Sequence, residues 1–166
     1  MNPLATMRIG FLIALVGLIL MGCLSNRAET ESLPTTDPNK VTDVVWQWET
    51  LIVSTGWDND TQRPIQEITT IPNPKNYTLI LRNDGTFSGK ADCNQISGTY
   101  STENGYFFTL GPTTMAACGE ESLDQQYVQL LGNVVTGGPY GSGFALETAG
   151  GAERMEFKNG GAAAAQ

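Results

Sequence analysis

The chain has no histidine. Imidazole is the commonest near-neutral general base and a frequent metal ligand, so Ser-His-Asp, Cys-His and His-zinc chemistry cannot be assembled from this chain alone. Positive charge is scarce as well: 9 Lys and Arg stand against 17 Asp and Glu, a formal net charge of −8 at pH 7. Phosphate backbones are bound by neutralising them with Lys and Arg, and no basic block is present, so nucleic acid is excluded as a partner. Cysteine is limited to 3 residues and proline to 8, whereas glycine reaches 19 in 166 residues. That turn-rich balance favours many short strands in one modest domain over long helices.

An apolar run without charge, Ile9 to Met21, follows Arg8 and closes on Gly22 and Cys23. It is short against the roughly 20 residues a membrane-spanning helix needs, so residues 1–22 read as a secretory signal peptide. Leu20-Met21-Gly22-Cys23 resembles a bacterial lipoprotein cleavage box, which implies that Cys23 carries diacylglycerol and becomes the first residue of the mature chain. Several acyl chains on one cysteine anchor durably where a single chain binds marginally. The expected location is therefore extracytoplasmic, lipid-anchored to the bacterial membrane, at the outer membrane or cell surface according to the envelope type. Residues 23–40 are polar and punctuated by Pro34 and Pro38, a flexible tether, and residues 160–166 read as a disordered tail. The folded unit is then 41–159, enough for one core and expected to be a monomer.

With Cys23 given to lipid, Cys93 and Cys118 remain as a pair, and in an oxidising compartment a pair closes into a disulfide. The closed loop of about 25 residues would be worth roughly 3 to 4 kcal/mol on the chain-entropy account.

Alternation and β-branched content predict a first strand over Val44–Val53 with Trp46 and Trp48 on one face. From Ser54 to Asn76 polar residues and Pro64, Pro72 and Pro74 predict a long loop with one edge strand at Gln66–Ile71. Two hairpins follow: Tyr77–Leu81 to Thr86–Ala91 through Asn83-Asp84-Gly85, read as a type I′ turn, and Ile96–Tyr100 to Tyr106–Leu110 through Glu103-Asn104-Gly105. A single helix is predicted from Leu123 to about Val134, with Ser122 and Gln125 as a capping box and Leu123, Tyr127, Leu130, Leu131 and Val134 in one apolar stripe. Strands at Val134-Val135, Gly143–Glu147 and Arg154–Lys158 complete the chain, with Gly137–Gly143 read as a turn. The fold class is α+β, mainly β: an antiparallel meander forming a cracked, barrel-like sheet with one amphipathic helix packed on it.

Several of these pieces form a set. Trp46 lies in an early strand, then come Asp84-Gly85-Thr86-Phe87-Ser88-Gly89-Lys90-Ala91-Asp92-Cys93-Asn94, Gly98-Thr99-Tyr100, Thr113-Thr114-Met115-Ala116-Ala117-Cys118 and Ser122-Leu123-Asp124. Over roughly Trp46 to Phe157 the chain resembles the META domain family, also called HslJ-like after a heat-shock-inducible bacterial lipoprotein. Asp92 stands where many members have Gly. The resemblance implies a small extracytoplasmic domain connected with envelope stress or antibiotic tolerance, or with motility and secretion in eukaryotic parasites, and it implies no catalytic activity. Its motif residues, Trp46, Asp84, Gly85, Gly89, Asp92, Asn94, Gly98, Tyr100 and Thr114, carry a structural role on this reading, with Asn94 tying a corner and Gly89 and Gly98 permitting close approach.

The residues read by themselves offer little chemistry. Asp58-Asn59-Asp60 begins like a calcium loop, but Arg63 and Thr69 stand where Gly and Glu are needed, which leaves an Asx-rich turn. Glu120 and Glu121 at the helix start suit its dipole better than a glycosidase pair, and the Gly-rich segments lack the lysine of a phosphate loop. No metal or cofactor is expected. Three consecutive aromatics, Tyr106, Phe107 and Phe108, cannot all face one core, and in a cracked barrel they are candidates to face an acyl chain or other small apolar ligand. The expectation is thus a non-catalytic, lipid-anchored envelope protein of the META type acting through an unidentified envelope protein. A binder of a lipid or small apolar ligand is the alternative, and a carboxylate-only hydrolase a remote one.

Overall fold

The computed structural model describes residues 40–164 apart from Met115, all within one unit, Ser32–Gln166. The expected signal peptide, Cys23 and nearly all of the expected tether lie outside the described residues.

Among the described residues, nine strands and one α-helix make up the fold. The strands are β1 (Val44–Asp58), β2 (Arg63–Thr70), β3 (Tyr77–Leu81), β4 (Thr86–Ala91), β5 (Asn94–Ser101), β6 (Phe107–Leu110), β7 (Val134–Tyr140), β8 (Gly143–Thr148) and β9 (Glu153–Ala162), with helix α1 (Asp124–Asn133) between β6 and β7. Their order in the sheet is β6-β5-β4-β3-β1-β9-β8-β7, with β2 added on β1, and every named strand pair is antiparallel. The two ends of that order meet where the Tyr106 N–H donates to the Val135 carbonyl at 3.1 Å, so the sheet is a nearly closed barrel. The mainly β, barrel-like class expected from sequence is what the chain adopts.

Alternation in β1 sends Val44, Trp46 and Trp48 inward, and an irregularity opposite β9 between Trp48 and Thr50 shifts the phase so that Leu51 is the next buried residue. Helix α1 lays Tyr127, Leu130 and Leu131 into the barrel, where Tyr127 stacks on Trp48 at 5.2 Å between ring centroids and meets the Tyr77 edge at 5.8 Å. Burying these aromatic and Leu side chains contributes roughly 2 kcal/mol each, which fixes the helix on the sheet.

Five local expectations are corrected. Ser54–Asn76 is not a long loop: β1 runs on to Asp58 and turns into β2, pairing Ile52 with Ile68 and Trp57 with Pro64. The turn at Asn83-Asp84-Gly85 is not type I′. Gly85 is its only residue with positive φ, and Gly85 N–H donates to the Arg82 carbonyl, the three-residue loop with a left-handed glycine. The Ser122 capping box does not form; Ser122 Oγ accepts from Asp124 N–H at 3.2 Å, and the helix starts after Leu123, whose N–H donates to the Tyr77 hydroxyl. Gly137–Tyr140 is strand, because a Cβ at Gly137 would collide with Leu146 and only glycine admits β8 so close. Finally, β9 continues through Gly160, Gly161 and Ala162, residues expected to be tail, because Ala162 pairs with Val44.

Candidate functional site

The family-motif residues gather around the β4–β5 turn. Ala91 and Asn94 pair across it, and Asp92 takes the left-handed conformation at φ 55°, which a short polar side chain tolerates. Its carboxylate accepts from Asn76 Nδ2 at 3.1 Å. Asn94, only 5 % exposed, is the centre of the corner. Its amide nitrogen lies within hydrogen-bonding reach of the Ala116 carbonyl at 3.0 Å, Asp124 Oδ2 at 3.0 Å and Cys118 Sγ at 3.2 Å. Its oxygen accepts from Ala116 N–H at 2.8 Å and from the Thr114 hydroxyl at 3.1 Å. Thr114 accepts in turn from Gln95 N–H. The Cys93–Cys118 disulfide, with 5.4 Å between Cα atoms, closes the same corner and pins the β6–α1 connection to the sheet. The buried carboxamide and the covalent bond, with the Gly111 and Thr114 N–H groups donating to the Ser97 and Gln95 carbonyls, hold a connection whose described residues form no helix or strand.

The other motif residues are spread along the barrel. A Cβ on Gly89 would strike the Thr78 carbonyl, and one on Gly98 would strike the Thr109 carbonyl and the Phe87 ring, so both strands pack at a distance only glycine allows. Asp84 accepts from the Thr86 hydroxyl at 2.7 Å and the Thr86 N–H at 2.9 Å, and these bonds hold its carboxyl below the usual range. At the same end the Tyr100 hydroxyl donates to the Arg82 carbonyl at 2.8 Å, and Trp46 Nε1 donates to the Val41 carbonyl at 2.8 Å.

Tyr106, Phe107 and Phe108 do not line a common cavity. Phe108 is in the core, edge-on to Phe87 at 5.3 Å, Tyr106 packs on Phe144 at 5.5 Å, and Phe107 faces solvent. The barrel interior is filled by side chains, Trp48, Tyr127, Phe87, Phe144 and Leu131 among them.

Two surfaces stand out instead. The outer parts of β1 and β2 form an arm in which all eight residues of β2 are exposed. Trp57, Ile65 and Ile68 are 56, 51 and 68 % exposed. Pro64 and Ile68 share one face of β2 with their partners Trp57 and Ile52, while Ile65 lies over Gly56 on the other. The arm ends in a turn where Asp58 accepts from Asp60 N–H, Thr61 N–H and the Thr61 hydroxyl, the Asx turn read from sequence. The Thr61 hydroxyl and these amides hold Asp58 below the usual carboxyl range. The second surface is a groove of about 620 Å³ between α1 and the β6–α1 connection, with Ile96 and Leu110 in its lining. A smaller recess of about 390 Å³ is lined by Asp92, Glu120 and Glu121. Among the described residues no group of three His, Cys, Asp or Glu side chains is placed to hold a metal.

A nearly closed antiparallel barrel with one inserted helix, a disulfide-clasped corner and a projecting hairpin defines the class of protein. A family model described as META domain matches residues 40–160, and the chain belongs to that family. Its fold is similar to the crystal structure of a DUF4847 family protein from Bacteroides vulgatus, with 13 % sequence identity and a TM-score of 0.52 over 71 % of this chain and 93 % of that one. A search of curated proteins finds no match.

Proposed function

We propose that the protein is a non-catalytic, lipid-anchored envelope protein whose domain works by engaging a partner protein through the β1–β2 arm. The observation that carries this reading is the arm itself. Two-stranded ribbons are marginal in water, and exposed apolar side chains on one are a cost unless something covers them. The outer edge of β2 has no strand partner among the described residues, so its backbone is open to another chain. Val44, at the opposite end of β1, pairs with Ala162 and follows closely on Lys40, the first described residue. Asp58, where β1 turns toward β2, lies at the other end of this 15-residue strand, so a tether attached ahead of Lys40 would leave the arm pointing away from it.

The chemistry of the chain supports a role without catalysis. Histidine is absent, Asp58 and Asp84 are engaged in turns, Asp124 is bonded to Asn94, and Glu147 and Glu156 pair with Arg154. A place in envelope stress tolerance is part of the proposal and rests on family membership.

A photo-crosslinking residue placed at Trp57 or Ile68 in the living source organism tests the reading. The expected result is a discrete protein-sized adduct from both positions and none from Glu103, an exposed residue in the β5–β6 turn. Adducts from Glu103 alone, or no adduct at any of the three, would contradict it.

A further inference from the structure

The disulfide that clasps the corner has two unlike ends. Cys93 is exposed on the turn from β4 to β5, and Cys118 is half-buried. Cys118 Sγ accepts from Cys93 N–H at 3.3 Å and lies 3.2 Å from Asn94 Nδ2, whereas Cys93 Sγ has no donor among the described residues. The two ends are also held differently. Cys93 stands between Ala91 and Asn94, which pair across the turn, and Asn76 Nδ2 fixes the Asp92 carboxylate beside it. Cys118 belongs to residues 116–123, which form no helix or strand. Asn94 ties that segment separately, through the Ala116 N–H and carbonyl.

Negative charge gathers at the same place. The recess of about 390 Å³ that Cys118 helps to line also carries Asp92, Glu120 and Glu121, and no lysine or arginine is in its lining. Lys90 Nζ reaches the lining at Asn76 Oδ1, 3.2 Å away, which leaves the balance negative.

From this asymmetry we infer that Cys93–Cys118 is an exchange site for a dithiol protein, with Cys93 as the sulfur that is attacked and Cys118 as the sulfur that leaves. Thiol–disulfide exchange requires access to one sulfur and a favourable thiolate on the other, and the exposed Cys93 offers the access. The partner's thiolate bonds to Cys93 Sγ, the bond to Cys118 Sγ breaks, and its electron pair departs on Cys118. There the Cys93 N–H and the Asn94 amide meet the new charge. Attack at Cys118 would place that charge on Cys93 Sγ, which no donor faces. The partner's second thiol then displaces Cys93 Sγ, so the partner leaves as a disulfide and this chain as a dithiol. The two protons that the partner's thiols lose pass through solvent to Cys93 and Cys118. In the reverse direction a disulfide-bearing oxidant forms its mixed disulfide on Cys93 as well. The carboxylates repel an anionic thiol, so the partner presents an uncharged or basic face around its reactive cysteine. Opening is local, because Ala116 stays tied to Asn94 and the strands keep their pairing.

The test uses the oxidised full chain, any free thiol first blocked with iodoacetamide, treated at low ionic strength with limiting cysteamine and quenched with N-ethylmaleimide. Peptide mapping by mass spectrometry should find cysteamine on Cys93 with maleimide on Cys118, in at least tenfold excess over the reverse. Cationic cysteamine should react at least tenfold faster per thiolate than mercaptopropionate, once corrected for their relative rates on an uncharged small disulfide. Replacing the exposed pair, Glu120→Gln with Glu121→Gln, should narrow that preference at least threefold. After full reduction and alkylation, amide hydrogen exchange should accelerate over residues 116–122 and stay unchanged over β1, β3 and β4. Equal adducts on the two cysteines, or more on Cys118, overturn the inference. So does an unchanged charge preference in the glutamine variant, or reduction that proceeds only once the barrel unfolds.

Discussion

Asn94 and Tyr127 are the two buried polar side chains whose treatment differs most. Asn94 is fully engaged, and its truncation strands the Ala116 amide and carbonyl, so Asn94→Ala is expected to cost about 3 kcal/mol in chemical denaturation. A loss under about 1 kcal/mol would mean that the disulfide alone holds the corner. The role of Asn94 was legible because Asx residues beside a turn tie backbone groups, whereas the identity of its partners, twenty and more residues away, was not. Tyr127 is the opposite case: its hydroxyl is buried with no hydrogen-bond partner among the described residues, and burial pushes its phenol well above the usual tyrosine range. Tyr127→Phe is expected to stabilise the domain by about 1 kcal/mol in thermal unfolding. The unfolded chain releases this proton near pH 10, where the native state still holds it, so stability is full below that pH and declines as pH rises above it. Burial raises the Tyr100 and Tyr106 phenols in the same direction. The alkaline decline should therefore be shallower in Tyr127→Phe than in the parent, and an identical decline would contradict the assignment.

Elements with a buried face were read from sequence, whereas of β2, which has none, only the part from Gln66 onward was read, as an edge strand within a loop. The stripe on α1 and the alternation in β3 and β4 repeat at the helix and strand periods because each packs on the core. β2 has no buried residue, so its sequence carries no period, and Pro64 argues against a strand unless that strand lies at an edge. Gly137-Gly138-Pro139 conceals β7 for a related reason, since its glycine answers to the closeness of β8 rather than to any pattern along its own length. The arm's exposure also sets an expectation: Trp57→Ser with Ile68→Ser should leave unfolding free energy within about 0.5 kcal/mol of the parent. Trp48→Ala, by contrast, should cost about 4 kcal/mol. A large loss from the arm substitutions would show that these side chains serve the fold and not a partner. Replacing Cys93 and Cys118 together by Ser should cost about 3 kcal/mol by freeing a 25-residue separation in the unfolded chain.

Closure of the barrel joins the two ends of the domain, pairing β1 with β9 from Val44–Ala162 to Val53–Glu153. Nothing local in the sequence announces that register, because it depends on where the whole sheet curls shut. Closure also brings the first and last described segments together at one pole, where Arg82 pairs with Asp43 at 3.2 Å and donates to the Ala164 carbonyl at 3.2 Å, and leaves the arm at the far end of β1. On the proposed function, a tether entering at that pole would leave the apolar hairpin at the other free to engage a partner. Native mass spectrometry of the chain, extracted gently from the source organism in a mild detergent, tests that account most directly. It predicts a protein-sized adduct that disappears when Trp57 and Ile68 are both replaced by Ser; a bare chain, or a lipid-sized adduct indifferent to those substitutions, would contradict it.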